Sequence, residues 1–171
     1  MVAAPMRNPV ESLLRLPGVI DVTRLLALRV TSRVFPARAY RLTRQPRTTD
    51  PDLKNAEGYI QGFRFTQTWA LQPSVAQSLW KTIFQLKLYG NRSAFGMRCF
   101  SPGTAIEFGQ GAGSVQVVIC LGCHWIYFHK GTWRFALALT PRGVTKLRDA
   151  LSNRLLQPLE VKVTQFSQAQ A

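Results

Sequence analysis

From Gly58 onward the apolar positions fall into segments of distinct period. Phe63, Phe65, Gln67, Trp69 and Leu71 alternate with Arg64, Thr66, Thr68 and Ala70, and a two-residue period predicts a strand with one face buried. Pro73 then opens a helix whose buried stripe is Val75, Leu79, Ile83 and Leu86, with Gly90 as its stop. Four short strands are predicted next, over residues 97–100, 104–108, 114–121 and 124–129, and a further strand over 133–139. Residues 110–113 and Lys130-Gly131 read as the intervening turns. Thr140 followed by Pro141 has the form of an N-cap and a first-turn proline, and Val144, Leu147, Leu151 and Leu155 continue at helical spacing. Pro158 ends that helix, residues 159–163 add an edge strand, and the Gln/Ala-rich end frays. Strand, helix, strands, helix is the order of an α+β fold: an antiparallel β-meander with two helices packed on one face.

The first 49 residues differ. They hold nine arginines, no lysine, two acids (Glu11 and Asp21) and five prolines. Their best helical stretch, residues 21–34, sets Val22, Leu25 and Leu26 on one face together with Arg29 and Arg33. A helix lying on a membrane needs its cations segregated from its apolar face, so peripheral membrane contact is not expected. The segment reads as a basic N-terminal arm, giving three regions: arm 1–49, α+β domain 50–166 and frayed tail 167–171. An Arg-rich, acid-poor start leaves organellar import open; otherwise the expected compartment is the cytoplasm. A length of 171 residues with 46% hydrophobic content suits one soluble domain and excludes a wholly disordered chain. No apolar run reaches the roughly 18 residues that a transmembrane segment requires.

Charge narrows the function. Lys and Arg number 22 against 8 Asp and Glu, a net +14, and a surplus of that size attracts polyanions. Residues 50–171 carry thirteen of these cations and six of the acids, so the body is basic as well as the arm. The candidate polyanion-binding residues are Arg38, Arg41, Arg44, Arg47 and Arg64. Between Gly58 and Arg148 the one carboxylate is Glu107, which removes chemistries built on paired acids or carboxylate-held magnesium. The leading expectation is a non-enzymatic binding or assembly module engaging an acidic partner, either nucleic acid or a protein complex. Gly62-Phe63-Arg64-Phe65 echoes the centre of an RNA-recognition strand, but Gln61 and Thr68 depart from that signature. Phe63, Phe65 and Trp69 are accordingly expected in the core. Trp125, Tyr127 and His129 share one strand face and form a candidate aromatic patch.

The cysteines carry the alternative. Cys99 stands in Cys99-Phe100-Ser101-Pro102-Gly103, and Cys120-Leu121-Gly122-Cys123-His124 follows the apolar run Val117-Val118-Ile119. These strings resemble an uncharacterised family of small bacterial α+β proteins with a Cys-Phe-x-Pro strand followed by a Cys-x-x-Cys strand. The resemblance spans roughly residues 58–156, assigns no activity, and implies that the three cysteines belong together. An odd cysteine count argues against a disulfide framework. Cys120 and Cys123 would face opposite ways in an unbroken strand; a tight turn at Gly122 would let them converge. Four readings stay open: reduced structural thiols, a zinc site of Cys99, Cys120, Cys123 and His124 (His129 as substitute), a redox dithiol, or a haem-attachment string. Gly122 is expected to be the residue in that turn that tolerates no side chain.

Overall fold

In a computed structural model, residues 19–43, 48, 50, 52, 56–90 and 102–155 are described. They form helix α1 (Val19–Thr31) and strand β1 (Ala37–Leu42), then β2 (Tyr59–Ile60), β3 (Phe63–Ala70) and helix α2 (Pro73–Ile83). A 3-10 turn at Leu86–Leu88 leads into β4 (Tyr89–Gly90). The remaining elements are β5 (Thr104–Phe108), β6 (Val115–Cys120), β7 (Trp125–Lys130), β8 (Trp133–Leu139) and helix α3 (Pro141–Leu155). The fold is mixed α+β, with one eight-stranded sheet in the order β2-β3-β1-β5-β6-β7-β8-β4. Every pairing in it is antiparallel. No helix among the described residues is long and apolar enough to cross a membrane.

Strand alternation divides the core into two. Ile106 and Phe108 of β5, Val115, Val117 and Ile119 of β6, Ile126 and Phe128 of β7, and Phe135, Leu137 and Leu139 of β8 are buried on one side. In the same cluster lie Leu25 and Leu28 of α1, Leu79, Trp80 and Ile83 of α2, and Val144, Leu147 and Leu151 of α3. The intervening residues of the strands face the other way. There a smaller cluster gathers Tyr40, Leu42, Ile60, Phe63, Ala105 and Val118, with Phe65 and Tyr127 packed on it.

Four expectations change. The predicted arm does not stop at residue 49 as a separate region, because β1 is hydrogen-bonded between β3 and β5 in the interior of the sheet. Its Ala37 and Ala39 are buried, and Leu25 and Leu28 bring α1 into the main core; the described residues hold three helices where two were expected. A strand flanked on both sides satisfies its backbone groups in the ladder, which no free arm does. Second, chain order is kept in the β2–β3 hairpin and from β5 to β8, whereas β1 is inserted between β3 and β5 and β4 is added at the edge beside β8. Third, the register of β3 against β1 slips between Arg41 and Leu42, leaving Thr66 as the extra residue of a bulge. A bulge reverses the alternation, so Phe63 and Phe65 join the small cluster while Trp69 and Leu71 join the large one. Fourth, α2 ends at Ile83 rather than at Gly90. Tyr89 and Gly90 pair with Leu139 and Ala138, and the Tyr89 hydroxyl donates to the Ile83 carbonyl, tying the strand to the end of the helix. Burial holds the Tyr89 phenol far above its ordinary ionisation range. The predicted strand 97–100, the edge strand 159–163 and the tail 167–171 lie outside the described residues.

The start of α3 follows the sequence. Thr140 Oγ1 accepts the Gly143 N–H at 3.0 Å, the N-cap bond expected of threonine before proline. The Thr140 N–H donates to the Leu88 carbonyl at 2.8 Å and its hydroxyl to the same oxygen at 3.2 Å. The helix start is thereby fastened to the turn before β4. Gly143 is buried at that crossing, and a Cβ there would overlap the Leu88 carbonyl.

Candidate functional site

The cross-strand register builds a polar row that no single segment of sequence contains. Arg38 stands opposite Glu107, Glu107 opposite Gln116, Gln116 opposite His129 and His129 opposite Arg134. Five strands thus place Arg, Glu, Gln, His and Arg side by side on the sheet face away from the large cluster. One step along the strands the row is Tyr40, Ala105, Val118, Tyr127 and Ala136, mostly apolar. The polar row therefore borders an apolar floor, and its members are neighbours by the spacing of paired strands.

Gln61 completes the row from outside the ladder. Ile60 pairs with Phe63, so Gln61 and Gly62 form the two-residue turn between β2 and β3, with φ of 52° and 81°. Positive φ at both positions suits the right-handed twist of a hairpin and is met at the first by Asn, Asp or Gly far more than by Gln. Gln61 is nonetheless only 5% exposed. Its amide donates to Gln116 and lies 3.0 Å from His129 Nδ1. Beyond Gln116 the network reaches Glu107, whose Oε1 accepts from Gln116 Nε2 at 3.1 Å and Ser114 Oγ at 3.1 Å. The Tyr40 hydroxyl donates to Glu107 Oε2 at 2.8 Å. Burial first, then the Glu107 hydrogen bond and charge, push the Tyr40 phenol well above its ordinary range, which keeps it a donor. At the other end Arg134 Nε donates to His129 Nε2 at 2.8 Å. A guanidinium only donates, so while Arg134 is docked, Nε2 is the acceptor.

A cavity of about 180 Å³ opens beside this end of the row. Phe63, Val118, Tyr127 and Ala136 supply its apolar side chains and Gln61, His129 and Arg134 its polar groups, while Phe128 and Phe135, which also border it, carry their rings on the opposite sheet face. It is the meeting of a wall of rings with an oriented guanidinium that gives this place chemical character. Of its residues, the sequence pattern singles out Phe63, Tyr127 and His129 but not Gln61, Gln116 or Arg134 as a set. The available signal is that each strand has one polar side chain inside an apolar run, Glu107 within β5 and Gln116 within β6; hairpin register then aligns them.

The predicted polyanion set is divided by the same geometry. Arg38 and Arg41 are both exposed on β1, but alternation puts Arg38 on the polar-row side and Arg41 on the side of the helices. There Arg41 stacks over the Trp69 ring at 5.8 Å. Arg64 is exposed on β3 opposite Tyr59, and Arg44 and Arg47 lie outside the described residues. Among the described members, Arg38 and Arg41 therefore lie on opposite faces of the sheet. A different basic patch forms where Lys130 Nζ donates to Ser32 Oγ at 3.0 Å. That contact joins the β7–β8 hairpin to the segment after α1, with Arg29 exposed in the last turn of the helix and Arg33 exposed just beyond it. Lys130 pairs with Trp133, which is 50% exposed, and Phe35, two residues beyond Arg33, is 42% exposed.

The thiol set is placed otherwise than the predicted turn requires. Cys120 is buried at the end of β6 opposite Trp125, and Cys123 is half-buried in the turn 121–124; neither is in a disulfide. Cys99 lies outside the described residues. Among the described residues, no three His, Cys, Asp or Glu side chains stand close enough to hold a metal ion. The residue of this turn with positive φ is His124, at 60°, whereas Gly122 is exposed and a Cβ on it meets nothing within 4 Å. The strain expected at Gly122 is therefore carried by His124. No protein-family model matches this chain, and neither a curated protein nor a solved structure does.

Proposed function

We propose that the protein is a non-catalytic binding module that engages an acidic macromolecular partner, nucleic acid being the partner we would test first. The observation that carries this reading is the Lys130–Ser32 contact, which sets Lys130 and its cross-strand neighbour, the open Trp133, beside the stretch of chain that carries exposed Arg29 and Arg33. Backbone phosphates need cations at several points, and unpaired bases need a ring to stack on. The net charge of +14 supplies long-range attraction over the rest of the surface. Exposed Arg142, Lys146 and Arg148 on α3 extend it.

The test is binding of a single-stranded oligonucleotide across a salt series. Affinity should fall about tenfold or more between about 50 and 200 mM salt, as counterion release requires. Trp133→Ala should weaken it by about 1–3 kcal/mol, and replacing Arg29, Arg33 and Lys130 by glutamine should reduce the salt slope. Affinity indifferent to salt overturns the proposal. Retention on heparin and on an acidic protein, with no loss for Trp133→Ala on the oligonucleotide, would transfer the function to a protein partner.

A further inference from the structure

We propose that the cavity beside the polar row is a binding site for a small single-ring carboxylate, held by Arg134 with its ring among Phe63, Val118 and Tyr127. This goes beyond the macromolecular reading, which uses the cations and Trp133 around the end of α1.

Size sets the first limit. An apolar protein cavity of about 150 Å³ accommodates benzene, and this one, at about 180 Å³, has room for one six-membered ring and one small substituent. It is too small for a nucleoside or a drug-sized molecule, whose pockets run to about 300–1,000 Å³. The walls set the second. Phe63 and Val118 belong to the buried cluster of this sheet face and Tyr127 packs on it, so the floor offers rings and methyl groups and favours an apolar body.

The polar side fixes the head group. A guanidinium has five N–H donors. His129 Nε2 takes the Nε–H of Arg134, which orients the guanidinium plane and leaves its two terminal amino groups to bind a second partner. Two parallel N–H donors match the two oxygens of a carboxylate. Glu107, the carboxylate in the same row, is engaged by Tyr40, Ser114 and Gln116 and lies three strands away from Arg134, so it does not compete for it. The other side chains at the opening, Gln61 and His129, are neutral when Arg134 is docked, and no anion of the lining repels a carboxylate. Gln61, buried in a left-handed conformation, stands on the opposite side of His129, its amide nitrogen 3.0 Å from Nδ1. His129 and Gln61 are thus positioning residues for Arg134.

Benzoate is the probe, with benzyl alcohol as its neutral counterpart, and the full chain is titrated while ligand-induced shifts of side-chain and backbone NMR signals are followed. Benzoate should bind saturably, near 1 mM or tighter, shifting signals of Tyr127, His129 and Ala136, and benzyl alcohol at least about tenfold more weakly. Arg134→Gln, at an exposed position, should weaken benzoate about tenfold or more and leave benzyl alcohol unchanged. Ala136→Phe, filling the cavity, should abolish both. Because Ala136→Phe alone could disturb folding, the Arg134→Gln result stands independently, and oligonucleotide binding by Arg134→Gln reports separately on the macromolecular function. No saturation by 10-fold excess over about 1 mM, equal affinity for the two probes, or benzoate affinity untouched by Arg134→Gln each overturns the proposal.

Discussion

Two adjacent rows of the same five strands make the most instructive comparison in this protein. Ala39, Ile106, Val117, Phe128 and Phe135 run across the sheet on the side of the helices. One residue along each strand, Arg38, Glu107, Gln116, His129 and Arg134 run across the opposite side. The first row is held by area removed from water, worth about 1.5–3 kcal/mol for each large side chain fully buried. It tolerates small adjustments because that force has no direction. The second is held by directed bonds from Tyr40, Ser114, Gln116, Gln61 and Arg134, each modest in net worth but costly to leave unmatched. A slip of one residue would exchange the rows, burying charges beneath the helices. The apolar row supplies the stability, and the polar row makes the wrong register expensive.

The largest expected effect tests the apolar row. Phe128 is buried between Phe135, stacked at 5.0 Å, and the edges of Phe84 at 5.6 Å and Tyr89 at 6.3 Å. Phe128→Ala should cost about 3–5 kcal/mol in urea unfolding, and a loss below about 1 kcal/mol would contradict its role. Gly143→Ala comes next: the added methyl must push α3 away from the Leu88 carbonyl, an overpacking cost of about 1–3 kcal/mol. An unchanged melting temperature would mean that this helix start is not seated as described.

On the polar row the effect should be smaller and chemically selective. Glu107→Gln presents an amide to donors that need an acceptor, and should cost about 1–3 kcal/mol. Asn, Asp or Gly in place of Gln61 should relieve the turn while removing its bond to Gln116, so stability and benzoate affinity should move apart. Alkali probes the same region without mutation. The folded Tyr40 and Tyr89 phenols hold their protons more tightly than unfolded tyrosine, whose pKa is about 10. Their contribution is therefore complete below about pH 10 and lost as the pH rises beyond it. Denaturation midpoints falling above pH 10, and falling less in Glu107→Gln, where Tyr40 loses the carboxylate that holds its proton, would bear this out. The smallest change expected is Gly122→Val, within about 0.5 kcal/mol, because that position is open and its backbone ordinary. A large loss there would restore the turn that the Cys-x-x-Cys spacing suggests.

Local chemistry was enough for much of the frame. The period of the apolar residues marked β5 through β8 and the body of α2, and Thr140-Pro141 marked the start of α3, because a strand's alternation and a helix cap are properties of a few neighbouring residues. The composition also set the net charge of +14, since a charge count needs no structure. What the tertiary structure decided depends on residues far apart in the chain. Nothing near Ala37 announces a strand: Arg38, Tyr40 and Arg41 read as a basic arm until β3 and β5 supply ladder partners on both sides. The bulge at Thr66 was equally silent, because an alternating sequence does not record where its partner slips. Tertiary register alone brought Arg38, Glu107, Gln116, His129 and Arg134 into a row, and the Lys130–Ser32 contact joined α1 to a hairpin almost a hundred positions away. Periodicity is a one-dimensional property, legible in the order of residues, whereas a site is made by which strands become neighbours, and that follows from the packing of the whole sheet.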